Sequence, residues 1–408
     1  MKVQCVKCKG RGFCGRTFCP LIAKSEAAFQ VKQRLGKEDF FGSAPAPFIG
    51  YHGYPHLNVG ILSLQEYKPD AWLYDAPKYW AEHNYQIQQI IEYRSELVNS
   101  RFKAHIKDFN KMLEIEQEIG MASKPVDVEI ELEKKPMFRL SSDPYTAPMG
   151  PNAKLKRAKI TENPKIHTKV DKVVSDTDLK ANNAITYLYE HDFDENFLTK
   201  LLSVGSLGIK HNRKLVPTRW SITATDDMIG KHIWNEIKNY PEADYLAFFD
   251  SYLGNYYLIM FFPEKWAYEL FEMYAPNASW NTTNELQYTT DYENYYGRKN
   301  YAEQCAGGYY TVRLAALEKL KQMKRQASVL VLRFITGEYA VPLGVWVTRQ
   351  AARRTLNNKP LAFASKELMM TYAKNLAKRK FNADITNILN SSLLLKEIKT
   401  QSKLTSYI

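Results

Sequence analysis

Apolar residues recur along this chain with two different periods, and the period assigns the element. Lys78 to Val98 carries Trp80, Ile87, Ile90, Ile91 and Leu97 close to helical spacing. Phe102 to Ile119 continues with Ile106, Phe109, Met112 and Ile115, so two amphipathic helices are expected. Leu314, Leu317 and Leu320 share a face of a helix over Tyr309 to Lys324, and Lys24 to Leu35 has helical composition. Shorter alternating runs at Val59 to Leu64, Trp220 to Thr225, Tyr245 to Phe249 and Tyr256 to Phe262 read as strands. Ala327 to Ile335 is continuously apolar, as a strand buried on both faces would be. Ser43 to Leu62 is dense in Pro and Gly and predicts turns around short strands. The Pro-punctuated stretch Pro136 to Pro164 predicts a long functional loop. The fold class that follows is α+β, with a mixed or antiparallel sheet and packed helices. There is no internal repeat, no heptad run and no Gly-x-Gly-x-x-Gly or Walker pattern, which disfavours the common nucleotide-binding folds.

Length and composition add bounds. At 408 residues, with 45% hydrophobic and 25% charged residues, the chain is globular and long enough for two or three domains of about 150 residues. The longest apolar runs fall far short of the roughly 18 residues that cross a bilayer, so no transmembrane helix is expected. The start leads directly into cysteines and glycines without an apolar signal core, which predicts a cytoplasmic protein with reduced thiols. Net charge is +12, and it is segregated. Residues 1–37 hold nine Lys/Arg against Glu26 alone, and residues 319–380 hold fourteen against Glu338 and Glu367. Residues 241–296 reverse this, with nine acids against Lys265. Clustered cations are what a polyanion-binding protein needs, although solvated helix faces would look the same from sequence.

Four of the five cysteines, Cys5, Cys8, Cys14 and Cys19, crowd the N-terminus with spacings x2, x5 and x4. Four thiolates complete a tetrahedral zinc shell, and a metal would supply most of the ordering free energy of so apolar-poor a segment. An iron–sulfur cluster is the rival, but the spacing fits none of the standard cluster motifs. Lys7, Lys9, Arg11 and Arg16 lie in the same loop and are candidate phosphate contacts. The segment from His211 to Asp227 concentrates polar chemistry. Arg213 and Arg219 could hold phosphate, His211 could shuttle a proton, and Asp226 and Asp227 could bind a hard cation or act as a base. A solvated loop entering a strand is the plainer reading of the same residues. Tyr295 to Tyr301 and Gly307 to Arg313 interleave aromatics with cations, among them Arg298 and Arg313, as base-stacking surfaces do; a Tyr-rich core is the alternative. His52 and His56 flank Tyr54-Pro55 in a turn and suit loop packing or substrate contact better than metal binding. Cys305 has no local partner and reads as a small buried hydrophobe. The last eight residues match the sliding-clamp-binding pattern: Gln401 for a polar pocket, and Leu404, Tyr407 and Ile408 as a hydrophobic plug on one turn of 3₁₀ helix.

The four-Cys module, the His211–Asp227 run, the Tyr295–Arg313 run and the terminal clamp peptide together resemble the archaeal Nre family of DNA repair proteins over essentially the whole chain. The resemblance implies a zinc finger at Cys5, Cys8, Cys14 and Cys19, a clamp-interacting motif at Gln401 to Ile408 and a role in the response to DNA damage. It implies a division into a zinc module (1–35), an N-terminal domain (36–285), a C-terminal domain (286–395) and a flexible tail (396–408). The expected function is a repair factor recruited to the clamp and binding DNA through basic surfaces. The alternative is an enzyme acting on a nucleotide or nucleic-acid phosphate through His211 to Asp227.

Overall fold

The computed structural model describes residues 36–137, 149–276, 278, 280, 281 and 283–400, together with Cys19. They fall into two units: the chain up to Ile229 with Val341–Leu343, and the chain from Gly230 to Ala340 resuming at Gly344. Each unit is a six-stranded mixed sheet with helices, the α+β class expected from the hydrophobic periods. Among the described residues no helix is long and apolar enough to cross a membrane. Of the module expected over residues 1–35 only Cys19 is described, half-buried; Cys5, Cys8 and Cys14 lie outside the described residues.

In the first unit β1 (Asp39–Ala44), β2 (Ala46–Ile49), β3 (His56–Ser63), β4 (Val98–His105), β5 (Val126–Leu132) and β6 (Asn152–Ile160) are ordered β1-β5-β6-β4-β3-β2, with β4 and β6 parallel. β5 shows the period of two: Val126, Val128, Ile130 and Leu132 point inward and Asp127, Glu129 and Glu131 point outward. The helices are α1 (Pro77–Glu82), α2 (Ile87–Glu96), α3 (Lys111–Met121), α4 (Thr168–Ser175), α5 (Ala181–Tyr189), α6 (Glu195–Ser203) and the part up to Ile229 of α7 (Thr218–Ile237), which continues into the second unit. α3 lays Ile115 and Ile119 on Ile61, Val98, Val128 and Ile130 of the sheet.

Three expectations are corrected here. Phe102 to Ile119 is not one helix: it divides into β4 and α3, because Asn110 caps a new helix by accepting from the Leu113 amide at 3.1 Å. Trp220 to Thr225 is not a strand but the start of α7. Trp220, Ile222 and Ala224 mimic a period of two, yet the buried positions Asp226, Ile229, Ile233 and Ile237 follow the helical period. The stretch from Pro136 to Pro164 is not all loop, since β6 occupies Asn152–Ile160; residues 138–148 lie outside the described residues.

α3 also buries a charge-bearing group. Glu116 is fully buried, and neither carboxylate oxygen has a hydrogen-bond partner. Burial pushes its carboxyl well above the usual carboxylate range. A group whose pKa is raised on folding supports the fold while protonated and withdraws that support as pH rises. Glu116→Met, which keeps the volume and removes the unsatisfied atoms, is therefore expected to stabilise the protein by about 1–3 kcal/mol. Denaturant unfolding at several pH values should show that gain widening from pH 4 to pH 8; a destabilised variant at pH 8 would contradict it.

In the second unit β7 (Tyr245–Tyr252), β8 (Asn255–Phe262), β9 (Ala267–Tyr274), β10 (Gln287–Glu293), β11 (Ser328–Ile335) and β12 (Leu361–Phe363) are ordered β10-β9-β11-β8-β7-β12, with β9 and β11 parallel. β11 is central and buried at every position, as its unbroken apolar run predicts. β7 and β8 form a hairpin closed by Leu253-Gly254, both with positive φ; a side chain at Gly254 would strike the Tyr339 amide. Helices α8 (Ala306–Met323), α9 (Trp346–Asn357), α10 (Lys366–Phe381), α11 (Thr386–Ser391) and α12 (Leu393–Thr400) flank the sheet. α10 to α12 cover one face, with Met369, Ala373, Ala377, Leu389 and Leu394 against Leu258, Met260, Phe271, Leu330 and Leu332. Tyr309 of α8 contacts Tyr268. Residues 396–400, expected in the tail, complete α12. Buried Glu269 accepts from the Leu393 and Leu394 amides at 3.1 Å each, placing a carboxylate at the start of that helix.

Candidate functional site

The run from His211 to Asp227 threads the first unit in three pieces. His211 is exposed on a 3₁₀ turn over Lys210–Asn212. Arg213 is spent on the backbone, donating to the Gly208 carbonyl at 2.7 Å and the Asp176 carbonyl at 2.9 Å. The next residues dock by main-chain hydrogen bonds, the Leu215 amide to the Ile106 carbonyl at 2.8 Å and the Val216 amide to the Ser203 carbonyl at 2.9 Å. Thr218, the first residue of α7, accepts from the Ile49 amide through its Oγ1 at 2.9 Å. Asp226 and Asp227 sit two turns along α7, about 10 Å from Arg219 at 1.5 Å per residue. Arg213 is engaged by backbone carbonyls and Asp226 is buried, while His211 and Arg219 are exposed, so the five residues are not offered together on one surface.

What the fold gathers instead is a set of rings and cations at the start of α7. The loop between β2 and β3 reverses at Gly53, whose φ of 86° and close approach to the His56 carbonyl exclude a side chain. The loop presents Tyr51, His52 and Tyr54. The Arg219 guanidinium lies 5.4 Å from the centre of the Tyr51 ring, and Tyr51 and His52 are 3.9 Å apart. Tyr54 and Trp220 are 5.4 Å apart. At the root of the loop His56 and His105 face one another across the β3–β4 ladder, ring centres 5.1 Å apart. Beyond His105 the chain turns through exposed Lys107 and Phe109. Tyr51, Tyr54, Trp220 and Phe109 expose 39%, 46%, 46% and 81% of their surface, so these rings are offered to solvent rather than used as core. Exposed rings beside a guanidinium can stack on bases while the cation meets a phosphate. Sequence reading placed His52 and His56 in this turn but missed its meeting with Trp220, which lies more than 160 residues away. No group of three His, Cys, Asp or Glu side chains among the described residues could hold a metal ion.

The Tyr295–Arg313 run divides: Tyr296 and Tyr301 are exposed, at 85% and 54%, while its two named arginines are engaged within the fold. Asp291 accepts from the amides of Glu303, Gln304 and Cys305 at 3.2, 2.9 and 2.7 Å. Arg298 pairs with Asp291 at 3.1 Å and donates to the Tyr292 carbonyl at 2.9 Å. Arg313 is buried and pairs with buried Glu293 at 2.6 Å. Both guanidiniums brace the strand β10 and the segment leading into α8; Arg313 is buried in doing so, whereas Arg298 keeps about a fifth of its side chain, 19%, exposed. Burial raises the Cys305 thiol far above its ordinary range, in keeping with a small core residue.

The basic region 319–380 is partly spent in the same way: Lys321 pairs with Glu236, Arg353 with Glu318 and buried Arg333 with Glu272. Its exposed remainder comprises Lys324, Arg325 and Lys359 in connecting segments and a set on α10. Met369, Ala373 and Ala377 face the core, while Lys374, Lys378 and Arg379 face solvent and Lys380 lies 4.8 Å from the Tyr256 ring centre. Lys7, Lys9, Arg11 and Arg16, and the clamp-type residues Gln401, Leu404, Tyr407 and Ile408, lie outside the described residues.

Comparison with known proteins places similarity along nearly all of the chain. A family model described as archaeal Nre, N-terminal, matches residues 13–281, and one described as archaeal Nre, C-terminal, matches residues 293–407. The chain is 35% identical over 396 residues to "DNA repair protein NreB" of Archaeoglobus fulgidus, covering 97% of each chain. It is 36% identical over 384 residues to "DNA repair protein NreA" of the same organism, covering 93% of this chain and 95% of the relative. It is 34% identical over 333 residues to "DNA repair protein NreA" of Haloferax volcanii, covering 79% of each. No solved structure matches the chain.

Proposed function

The chain belongs to the archaeal Nre family, and on that premise we propose that it is a DNA repair factor, recruited to the polymerase sliding clamp by its C-terminal peptide and holding DNA on exposed rings and cations. The names of its near-full-length relatives support the repair role. The observation that carries the DNA contact is the cluster in which Arg219 caps Tyr51 and Trp220 meets Tyr54, all on exposed surface. The solvent face of α10, with Lys374, Lys378 and Arg379, adds cations that neutralise phosphates without reading sequence. Zinc at Cys5, Cys8, Cys14 and Cys19 completes the reading. Four sulfur donors suit a closed structural site, which would fix Lys7, Lys9, Arg11 and Arg16 as further phosphate contacts.

Recruitment has its own test. Tyr407 is the largest apolar group of the peptide, so Tyr407→Ala is expected to cost about 2 kcal/mol, or about thirtyfold in affinity for the clamp. Lys403→Ala, at a variable position of the pattern, is expected to change little. Calorimetric titration of the clamp with the full chain, with Tyr407→Ala and with a chain ending at Thr400 measures this. Equal affinity of the shortened and intact chains would remove the tail as the recruiting element.

A further inference from the structure

Away from the ring cluster, the first unit contains a cleft of about 440 Å³, within the roughly 300–1,000 Å³ typical of small-molecule sites. Its walls come from the 3₁₀ turn over Ala71–Asp75, α1, the turn after α3 and the start of α6. Trp72 is 44% exposed on one wall and meets Tyr79 edge to face at 4.9 Å; Tyr79 is backed in turn by His83, stacked at 3.7 Å. This leaves a rigid aromatic surface open to the cleft. Phe197 adds a second apolar wall.

The floor is polar and braced. The Asp75 carboxylate is nearly buried and is held by Arg94 at 3.1 Å, Lys200 at 3.3 Å and the Asn196 amide at 3.0 Å. Asn196 gives both bonds of its NH₂ to Asp75, one to the carboxylate and one to the backbone carbonyl at 3.2 Å. Its Oδ1 is therefore turned away from Asp75 as an acceptor. Lys200 uses two of its three donors, on Asp75 and on the Pro45 carbonyl at 3.4 Å, and keeps the third. A fixed acceptor and a fixed donor thus sit one helical turn apart on α6, below a flat aromatic wall.

We propose that this cleft is a binding site for an unpaired nucleobase, stacked on Trp72 with its polar edge on Asn196 and Lys200. The edges of the nucleobases offer donors beside acceptors, and their faces match an aromatic wall. Exposed Lys78 and Lys124 in the lining could meet a phosphate attached to that base, although Glu82, Asp194 and Glu195 in the same lining make the base, rather than the phosphate, the group recognised. The base can come from a free nucleotide or from a strand in which it is unpaired or extruded. Only the second source rests on the DNA-binding reading above, and the two sites share no residue.

The test is titration of the full chain with deoxyadenosine, deoxycytidine, deoxyguanosine and thymidine monophosphates, and with duplexes that are fully paired or carry one unpaired base. Each titration is repeated with Trp72→Ala, Trp72→Phe and the Tyr54→Ala/Trp220→Ala double variant. At least one monophosphate, or the duplex with an unpaired base over the paired one, should bind with a preference that Trp72→Ala reduces at least tenfold and Trp72→Phe largely retains. Saturable monophosphate binding identifies the free ligand, and preference confined to the unpaired duplex identifies the strand. If the double variant loses DNA affinity while monophosphate binding persists, the cleft stands independently of the ring cluster. Absence of both bindings, or affinities unchanged by Trp72→Ala, would overturn the proposal.

Discussion

Arg333→Met is expected to destabilise the second unit by about 3–5 kcal/mol, the usual cost of leaving one member of a buried ion pair without the other. Arg333 lies on central β11 with only 6% of its surface exposed. Its guanidinium donates to the Glu272 carboxylate and, through Nε at 3.1 Å, to Asn255 Oδ1; Tyr257 lies beneath it at 6.0 Å. Asn255 in turn holds the β7–β8 turn, its NH₂ donating to the Tyr252 and Leu253 carbonyls at 3.3 and 3.1 Å. Removing the guanidinium strands Glu272, itself nearly buried, with a single weak donor from the Tyr274 hydroxyl at 3.3 Å. The double change Arg333→Met with Glu272→Gln should cost clearly less than the sum of the two single changes, because the buried charge goes as well. Denaturant unfolding of all three variants measures the coupling. A loss below about 1 kcal/mol for Arg333→Met would show that the pair is not the internal brace described.

That arginine also shows where linear reading stops. In sequence Arg333 adds to a basic region of fourteen cations, and Arg298 and Arg313 to an aromatic, basic run. In the fold Arg333, Arg298 and Arg313 are bound to Glu272, Asp291 and Glu293. A signal was present: the segment 241–296 that holds these partners is strongly acidic, and the region 319–380 that follows it is strongly basic. Opposite charges segregated along a chain can meet across a sheet as readily as they can meet a polyanion. β8, β11 and α8 were legible because their burial rests on large apolar residues. The start of α7 was not, since Ser221, Thr223 and Thr225 are buried there without being hydrophobic. Glu116 was legible in principle, because it lies one turn from Leu113 and Gly120 on the buried face of α3. The ring cluster was half legible: the His52–His56 turn and Arg219-Trp220 each stood out, but they meet through tertiary docking, of Thr218 on Ile49 and Leu215 on Ile106, that no local pattern shows. The cleft drew no sequence signal, since Trp72 and Asp75 on one turn are separated from Asn196 by about 120 residues of chain, without a shared motif.

The cluster makes a quantitative demand on DNA binding. Tyr54 and Trp220 are each 46% exposed, so replacing both with Ala removes little core packing and adds no charge. Base stacking on one aromatic ring is worth roughly 1–3 kcal/mol, so losing two rings should cost about 3 kcal/mol, or more than a hundredfold in affinity. The salt dependence should stay as it was, because no phosphate contact is lost. Arg219→Ala, by contrast, should flatten the slope of log affinity against log salt by about one counterion. These two signatures separate stacking from charge. They also separate both from misfolding, which would reduce affinity and alter the unfolding midpoint together.

The central claim is that this surface holds DNA. It is tested most directly by titrating a single-stranded oligonucleotide with the full chain and with Tyr54→Ala/Trp220→Ala at matched ionic strength. The account predicts salt-sensitive binding by the full chain and a loss of at least about a hundredfold in the double variant, with clamp affinity and unfolding midpoint preserved. An affinity within about twofold of the unaltered chain would contradict it.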